Sequence, residues 1–280
     1  MKTYYIVLER SKERTDHIQN HVNELKLDSV KVSAIDGKYL TQKDTLRECD
    51  IEHFLRRWRW PVEGAISAVG CALSHNQAYE KFLETPETSA FIIEDDAVLP
   101  TNIKSILNDI AKEIKSDEVI LLYYNSLQPV DISKFDSTKL RNVNLGLYFP
   151  VDIEQVATTA AYCIGREAAK GVLDSNTTIK VRADEWSWFY LKGAFDSLRL
   201  LYPSPVTTKK FKSTIGYSEE KEQLRSRIAN FVVKYKLPFV SQYIENRRNL
   251  YKRRFDRLNS TRNLFTLVDR KSPLSTKQQN

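Results

Sequence analysis

An α/β domain with a mostly parallel central sheet follows from three features of the chain. Strand-like and helix-like segments alternate from the N-terminus, apolar runs of strand length end in polar or acidic residues, and 41% apolar content over 280 residues fills a sizeable core. Such a chain reads as one large domain, or a domain with an appendage, and not as a disordered protein.

The elements follow in order. TYYIVL (3–8) is β-branched and aromatic, as a strand requires. In SKERTDHIQNHVNELKL, Ile18, Val22 and Leu25 fall at i, i+4 and i+7, one face of a helix. SVKVSAIDG (29–37) is a second strand ending at Asp36-Gly37. Strand, helix and strand at this spacing form a βαβ unit, whose parallel strands collect ligands at their carboxyl ends. Residues 41–63 are charged, and HFLRRWRWP sets Trp58 and Trp60 among arginines, for packing or as an acceptor-binding insertion. Residues 69–84 read as a helix with Leu73, Ala78 or Gln77, and Phe82 on one side, leading into a buried strand at 90–93. Residues 102–115 are helical, 117–125 a buried strand, 126–150 a long polar connection, 156–164 a strand and 166–173 a short helix. Asp184 and Glu185 precede an aromatic helical run, and LRLLYPSPV (198–206) is a strand closed by two prolines.

The net charge of +7 is unevenly spread. Residues 221–280 carry 15 Lys/Arg against 4 Asp/Glu, leaving 28 against 32 in residues 1–220. LYKRRFDRL (250–258) mixes Leu250, Phe255 and Leu258 with four cations, which suits an amphipathic helix on an anionic membrane surface or one packed on the domain. The expected organisation is a domain over 1–218, a basic helical tail over 219–270 and a frayed end over 271–280. No nucleic-acid reading motif accompanies the basic residues, so nucleic acid is not expected as a partner. No apolar run is long enough to span a membrane, and the N-terminus turns charged too soon for a signal peptide. The expected location is cytoplasmic, peripheral to the inner leaflet. Cys49, Cys71 and Cys163 lack metal or redox spacing and read as buried free thiols.

FIIEDDAVLP (91–100) sets Glu94, Asp95 and Asp96 at the end of a buried strand. Adjacent carboxylates raise one another's pKa unless a cation or hydrogen-bond donors offset the repulsion. Alternation along a strand points Glu94 and Asp96 one way and Asp95 the other, a hard-oxygen arrangement for Mg²⁺ or Mn²⁺. An acidic turn without a metal is the other reading of the triplet.

The ordered series YIVLERSKER (5–14), AIDG (34–37), GCALSH (70–75), FIIEDD (91–96), AAYCIGREAAK (160–170) and VRADE (181–185) resembles glycosyltransferase family 25, the family of bacterial lipooligosaccharide galactosyltransferases. The resemblance covers residues 4 to about 206 and not the basic tail. It implies a GT-A fold, a single nucleotide-binding α/β domain, and inverting transfer of a sugar, commonly galactose from UDP-galactose, to a carbohydrate hydroxyl. It also implies Mn²⁺ or Mg²⁺ at Glu94 and Asp96, beside Asp95, as a Lewis acid for the leaving diphosphate.

The remaining roles are set beside their structural alternatives. Backbone groups near Leu8 suit uracil, and the guanidiniums of Arg10 and Arg14 suit phosphates, Arg14 being equally a surface helix residue. Asp36 beside Gly37 reads as a ribose or uracil acceptor, or as a turn former. His75 matches the family's Ser-His pair. Asp184 is the expected general base, with Glu185 in reserve, the alternative being that Asp184 caps the following helix. Trp186 and Trp188 suit sugar stacking or core packing. Ala68 departs from the acidic residue common in the family at that position, and no histidine follows the acidic triplet to join a metal shell. The expected partners are a UDP-sugar, a glycolipid or oligosaccharide acceptor, and an anionic membrane through residues 221–270. The competing readings are a non-catalytic sugar-nucleotide or glycan-binding relative and a Mg²⁺-dependent nucleotidyltransferase. A Gly-rich phosphate loop for the latter is absent.

Overall fold

The computed structural model describes residues 1–57, 62–124, 130–141, 143–209, 211 and 265–276. The N-terminal part runs β1 (Lys2–Val7), α1 (Lys12–Glu24), β2 (Ser29–Ser33), α2 (Gln42–Glu48), α3 (Ile51–Arg57), α4 (Val62–Leu83), β3 (Ser89–Glu94) and β4 (Ala97–Val98). It continues with α5 (Ile103–Glu113), β5 (Glu118–Leu121), β6 (Val130–Ser133), β7 (Thr138–Lys139), β8 (Gly146–Tyr148) and β9 (Ala161–Gly165). Then come α6 (Arg166–Ser175), α7 (Trp186–Leu191), β10 (Ser197–Tyr202), β11 (Thr207–Thr208), β12 (Phe265–Val268) and a short helix at Pro273–Thr276.

An eight-stranded sheet in the order β2-β1-β3-β9-β5-β10-β8-β7 forms the centre. β1 pairs in parallel with both β2 and β3, and β5 with β10, so the expected βαβ unit is present. β9 runs backward between β3 and β5. The reversal follows from the chain path: Ala160 accepts a hydrogen bond from the Glu94 N–H at 3.0 Å, so β9 starts at the edge where β3 ends. β8 is also reversed, leaving six of the eight strands pointing one way.

Strand alternation sorts side chains onto two faces. Tyr4 and Ile6, Ala90 and Ile92, Tyr162 and Ile164, and Val119 and Leu121 face a core completed by α4, α6 and α7. Tyr5 and Val7, Phe91 and Ile93, Ala161 and Cys163, and Ile120 face a second core covered by α1 through Ile18 and Val22, and by α5 through Ile103, Ile106, Leu107 and Ile110. These strands are apolar on both faces because helices cover both.

The charged stretch after residue 41 holds two short helices. Thr41 and Asp44 close a capping box on α2, and Cys49 and Phe54 pack with Ala65, Ala68 and Val69 of α4. Trp58, Trp60 and residues 219–264 of the expected tail lie outside the described residues. The remainder of that tail departs from the expected helix. Residues 265–268 form β12, parallel to β6, because Phe265 to Val268 meet Val130 to Ser133 along a free strand edge. The expected frayed end is also tied down as far as described. The Ser272 hydroxyl donates to the Pro150 carbonyl at 2.6 Å, and Leu274 is buried in the main core. Among the described residues, no helix is long and apolar enough to cross a membrane.

Candidate active site

The carboxyl ends of β2, β1 and β3 lie side by side, since the parallel register sets Val7 opposite Ser33 and Ile6 opposite Glu94. The loops leaving these ends converge on a cleft lined by Leu8, Arg10, Arg14, Asp36, Gly37, His75, Glu94 and Asp95. Asp96 and Asp184 line a second cleft with Glu94, Tyr123, Thr158 and Thr208. Glu94 borders both. Glu185 lines neither of these two clefts.

Two glycines allow α4 to press on the loop after β2. A Cβ on Gly37 would lie 2.5 Å from the Ile66 carbonyl oxygen, and one on Gly70 would lie 2.6 Å from that of Ile35 and 2.8 Å from the Gly37 nitrogen. The Ser74 hydroxyl accepts from the Ile35 N–H at 2.8 Å and donates to the Gly70 carbonyl at 2.6 Å. Asp-Gly and Gly-Cys-Ala-Leu-Ser-His are thus two halves of one contact, which delivers Cys71 and His75 to the cleft. Ala68 is buried with Cys49 and Phe54 and lines neither cleft.

The acidic triplet finds its cation inside the fold. Arg14, in the first turn of α1, donates to Asp95 through Nε at 2.8 Å and through a terminal nitrogen, which also reaches Asp96 Oδ2 at 3.1 Å. Phe211 lies against this guanidinium, 5.5 Å from its ring centroid. Arg10 is likewise paired with Asp36, whose carboxylate also accepts from the Lys38 N–H at 3.0 Å. Both guanidiniums expected to meet phosphates are therefore held by carboxylates.

Glu94 accepts from the Thr159 hydroxyl and faces His75 Nε2 at 3.4 Å. His75 Nδ1 meets the Tyr162 hydroxyl at 2.8 Å, which meets that of Tyr79 at 2.7 Å. Burial pushes Glu94 up, but His75, Thr159 and Arg14 outweigh it and hold the carboxyl below its ordinary range. Burial lifts Asp95 against the pull of Arg14. Asp96 is pushed up to about 7, by burial first and by Glu94 next. Its Oδ1 is buried with no hydrogen-bond partner. An orphaned carboxylate oxygen beside an ionised glutamate is a donor set that fits a hard divalent cation.

Asp184 is not the helix cap. α7 has Glu185 at its N-cap, and the Thr158 N–H donates to Asp184 Oδ2 at 3.3 Å. Arg182 bonds Glu185 through Nε at 3.1 Å and a terminal nitrogen at 2.8 Å, but stands 3.6 Å from Asp184. Burial raises the Asp184 pKa, Arg182 opposes the rise, and Glu185 adds to it. Thr158 has φ +87°, a strained conformation for a β-branched residue, and its carbonyl accepts from Trp186 Nε1 at 3.0 Å. Trp186 and Trp188 are both buried and pack the core.

Sequence reading missed Thr158 and Thr159, because residues 156–160 read as strand, and Tyr79 and Tyr162, which carry no local signal. It also missed the stretch after β10. Thr207 and Thr208 pair with Val98 and Ala97, and the Lys209 N–H donates to the Asp96 carbonyl at 2.8 Å. Cys71, read as buried with the other thiols, is partly exposed instead, because α4 turns it toward the cleft.

A profile of glycosyltransferase family 25, described as LPS biosynthesis protein, matches residues 1–187. The chain belongs to glycosyltransferase family 25. A relative from Aedes aegypti named Glycosyltransferase 25 family member is 33% identical over 96 residues, covering 33% of this chain and 16% of that protein. The chain therefore aligns with only a small part of that relative. The family match spans every expected site residue from Leu8 to Glu185 and stops short of β10, Thr208, Lys209 and Phe211.

Proposed function

We propose that the chain is a metal-dependent glycosyltransferase that moves a sugar, galactose from UDP-galactose, onto a lipooligosaccharide or related glycan with inversion. One observation carries the reading: Glu94 borders two clefts, one with Arg10, Asp36 and Gly37 at the ends of β1 and β2, the other with Asp96 and Asp184. A nucleotide fits the first, at the carboxyl ends of parallel strands. An acceptor hydroxyl fits the second, beside a carboxylate of raised basicity.

Mn²⁺ or Mg²⁺ held by Glu94 and Asp96 would supply Lewis-acid stabilisation of the departing diphosphate. Arg14 fixes Asp95 and Asp96 in place and adds positive charge beside them. Asp36 accepts from the ribose or uracil, in exchange with Arg10. Asp184 takes the acceptor's proton as its oxygen attacks the anomeric carbon opposite the leaving group. Glu185, held by Arg182, orients that loop and is not the base. The basic residues of 221–270 hold the enzyme at the anionic inner leaflet, where glycolipid acceptors stand.

The test is release of UDP from UDP-galactose with a panel of glycan acceptors, with and without Mn²⁺, for the wild type and Asp184→Asn. Acceptor-stimulated, metal-dependent release that the variant lacks supports the reading. Donor binding without turnover for any acceptor would favour a non-catalytic relative, and wild-type rates in the variant would remove Asp184 as base.

A further inference from the structure

Cys71 and His75 lie at i and i+4 on α4, so both leave one face of the helix. That face looks onto the end of β3. Cys71 Sγ, a His75 ring nitrogen and a Glu94 carboxylate oxygen lie within 4.8 Å of one another. Thiolate, imidazole and carboxylate suit a borderline-soft cation, whereas Mn²⁺ and Mg²⁺ prefer oxygen ligands.

We propose that Cys71, His75 and Glu94 form a Zn²⁺ site inside the cleft at the ends of β2, β1 and β3, and that zinc seated there blocks the cleft. The outer contacts match those of ligating histidines. Nδ1 is engaged by the Tyr162 hydroxyl, itself held by Tyr79, so Nε2 is the nitrogen presented toward Glu94. The ligand atoms need a small contraction to meet a cation, since zinc binds nitrogen and oxygen at about 2.0–2.2 Å and sulfur at about 2.3 Å. Cys71 is partly exposed to the cleft, which leaves water a path to the fourth position. Binding replaces the thiol S–H bond with a zinc–sulfur bond and releases that proton to solvent. Cys49 and Cys163 are buried away from the cleft and offer no competing thiolate. Because Glu94 lines the second cleft together with Asp96, zinc at this site withdraws a donor from the oxygen pair as well.

The experiment uses Co²⁺ as a spectroscopic stand-in and then Zn²⁺ itself, on the full chain. Expected are a thiolate-to-cobalt charge-transfer band, its loss when one equivalent of Zn²⁺ is added, and release of about one proton per zinc from the thiol. Cys71→Ser, checked for folding by circular dichroism, should lack both band and proton. Absence of the band in the wild type, or its persistence in Cys71→Ser, would overturn the proposal. The blocking step rests on the glycosyltransferase reading and is read separately. Zinc should inhibit donor turnover in the wild type, and the inhibition constant should rise at least tenfold in Cys71→Ser relative to that variant's own uninhibited rate. A thiolate band with no turnover for any donor would leave the zinc site standing and count against the function alone. Equal inhibition of both proteins would place the blocking zinc elsewhere.

Discussion

Asp96→Asn should make the metal-free protein more stable while impairing its metal site. Asp96 moves from an ordinary 3.8 to about 7 in the folded protein. Each unit is worth about 1.4 kcal/mol, so the ionised side chain costs the native state up to about 4 kcal/mol once the pH exceeds both values. Its side chain is 25% exposed, and solvent screening reduces the expected cost to about 2 kcal/mol. Between these two pH values the native state binds more protons than the unfolded chain, so wild-type stability falls as pH rises through that window. Asparagine lacks the charge and should escape the fall. In EDTA at pH 8 the variant should melt about 4–8 °C above the wild type, and at pH 4 the two should converge. Added Mn²⁺ should then raise the wild type by mass action and the variant much less. Differential scanning calorimetry at the two pH values, with EDTA and with Mn²⁺, measures all of this. A variant that melts level with or below the wild type at pH 8 in EDTA, or that keeps the full Mn²⁺ shift, would refute the reasoning.

Three further outcomes are expected. Because burial raises the Asp184 pKa, the deprotonated base is lost at a higher pH than for an ordinary carboxylate, so kcat/KM should fall on the acid side above the usual carboxylate range. Asp184→Asn should lower kcat by roughly 10²–10⁴ and abolish that limb, as a pH–rate profile will show. Gly70→Ala places a methyl group against the Ile35 and Gly37 backbone and should destabilise by roughly 1–3 kcal/mol in urea unfolding, with weaker donor binding as the Asp36 loop is displaced. Glu118 is fully buried and holds Arg199 through two nitrogens, so Glu118→Ala strands a buried cation and should cost roughly 3–5 kcal/mol in the same assay without altering KM in the folded fraction.

The parallel half of the sheet was legible because β1, α1 and β2 carry their own periodicities, and because a strand ending in Glu94-Asp95-Asp96 marks its carboxyl end. β9 was legible as a strand but not in its direction, which depends on where Thr158 to Ala160 are held and not on any pattern within AYCIG. Of the site, the residues in loops after β1, β2 and β3 converged as their positions required. The opposing charge for the triplet was anticipated, but its source was not. Arg14 precedes Asp95 by a whole βαβ unit, and only the parallel register brings the start of α1 over the end of β3. Thr159, Tyr162 and Phe211 act through contacts across the fold that leave no local spacing to read. The capping alternative for Asp184 required helix geometry to exclude, since both acids stand immediately before the same aromatic run.

The most direct test of the central claim is calorimetric titration of the protein with UDP-galactose, with and without Mn²⁺. Binding that requires the metal in the wild type, and that is lost in Asp96→Asn, is the predicted result. Binding of equal strength in EDTA, or in Asp96→Asn with Mn²⁺, would contradict a donor site built on Glu94 and Asp96.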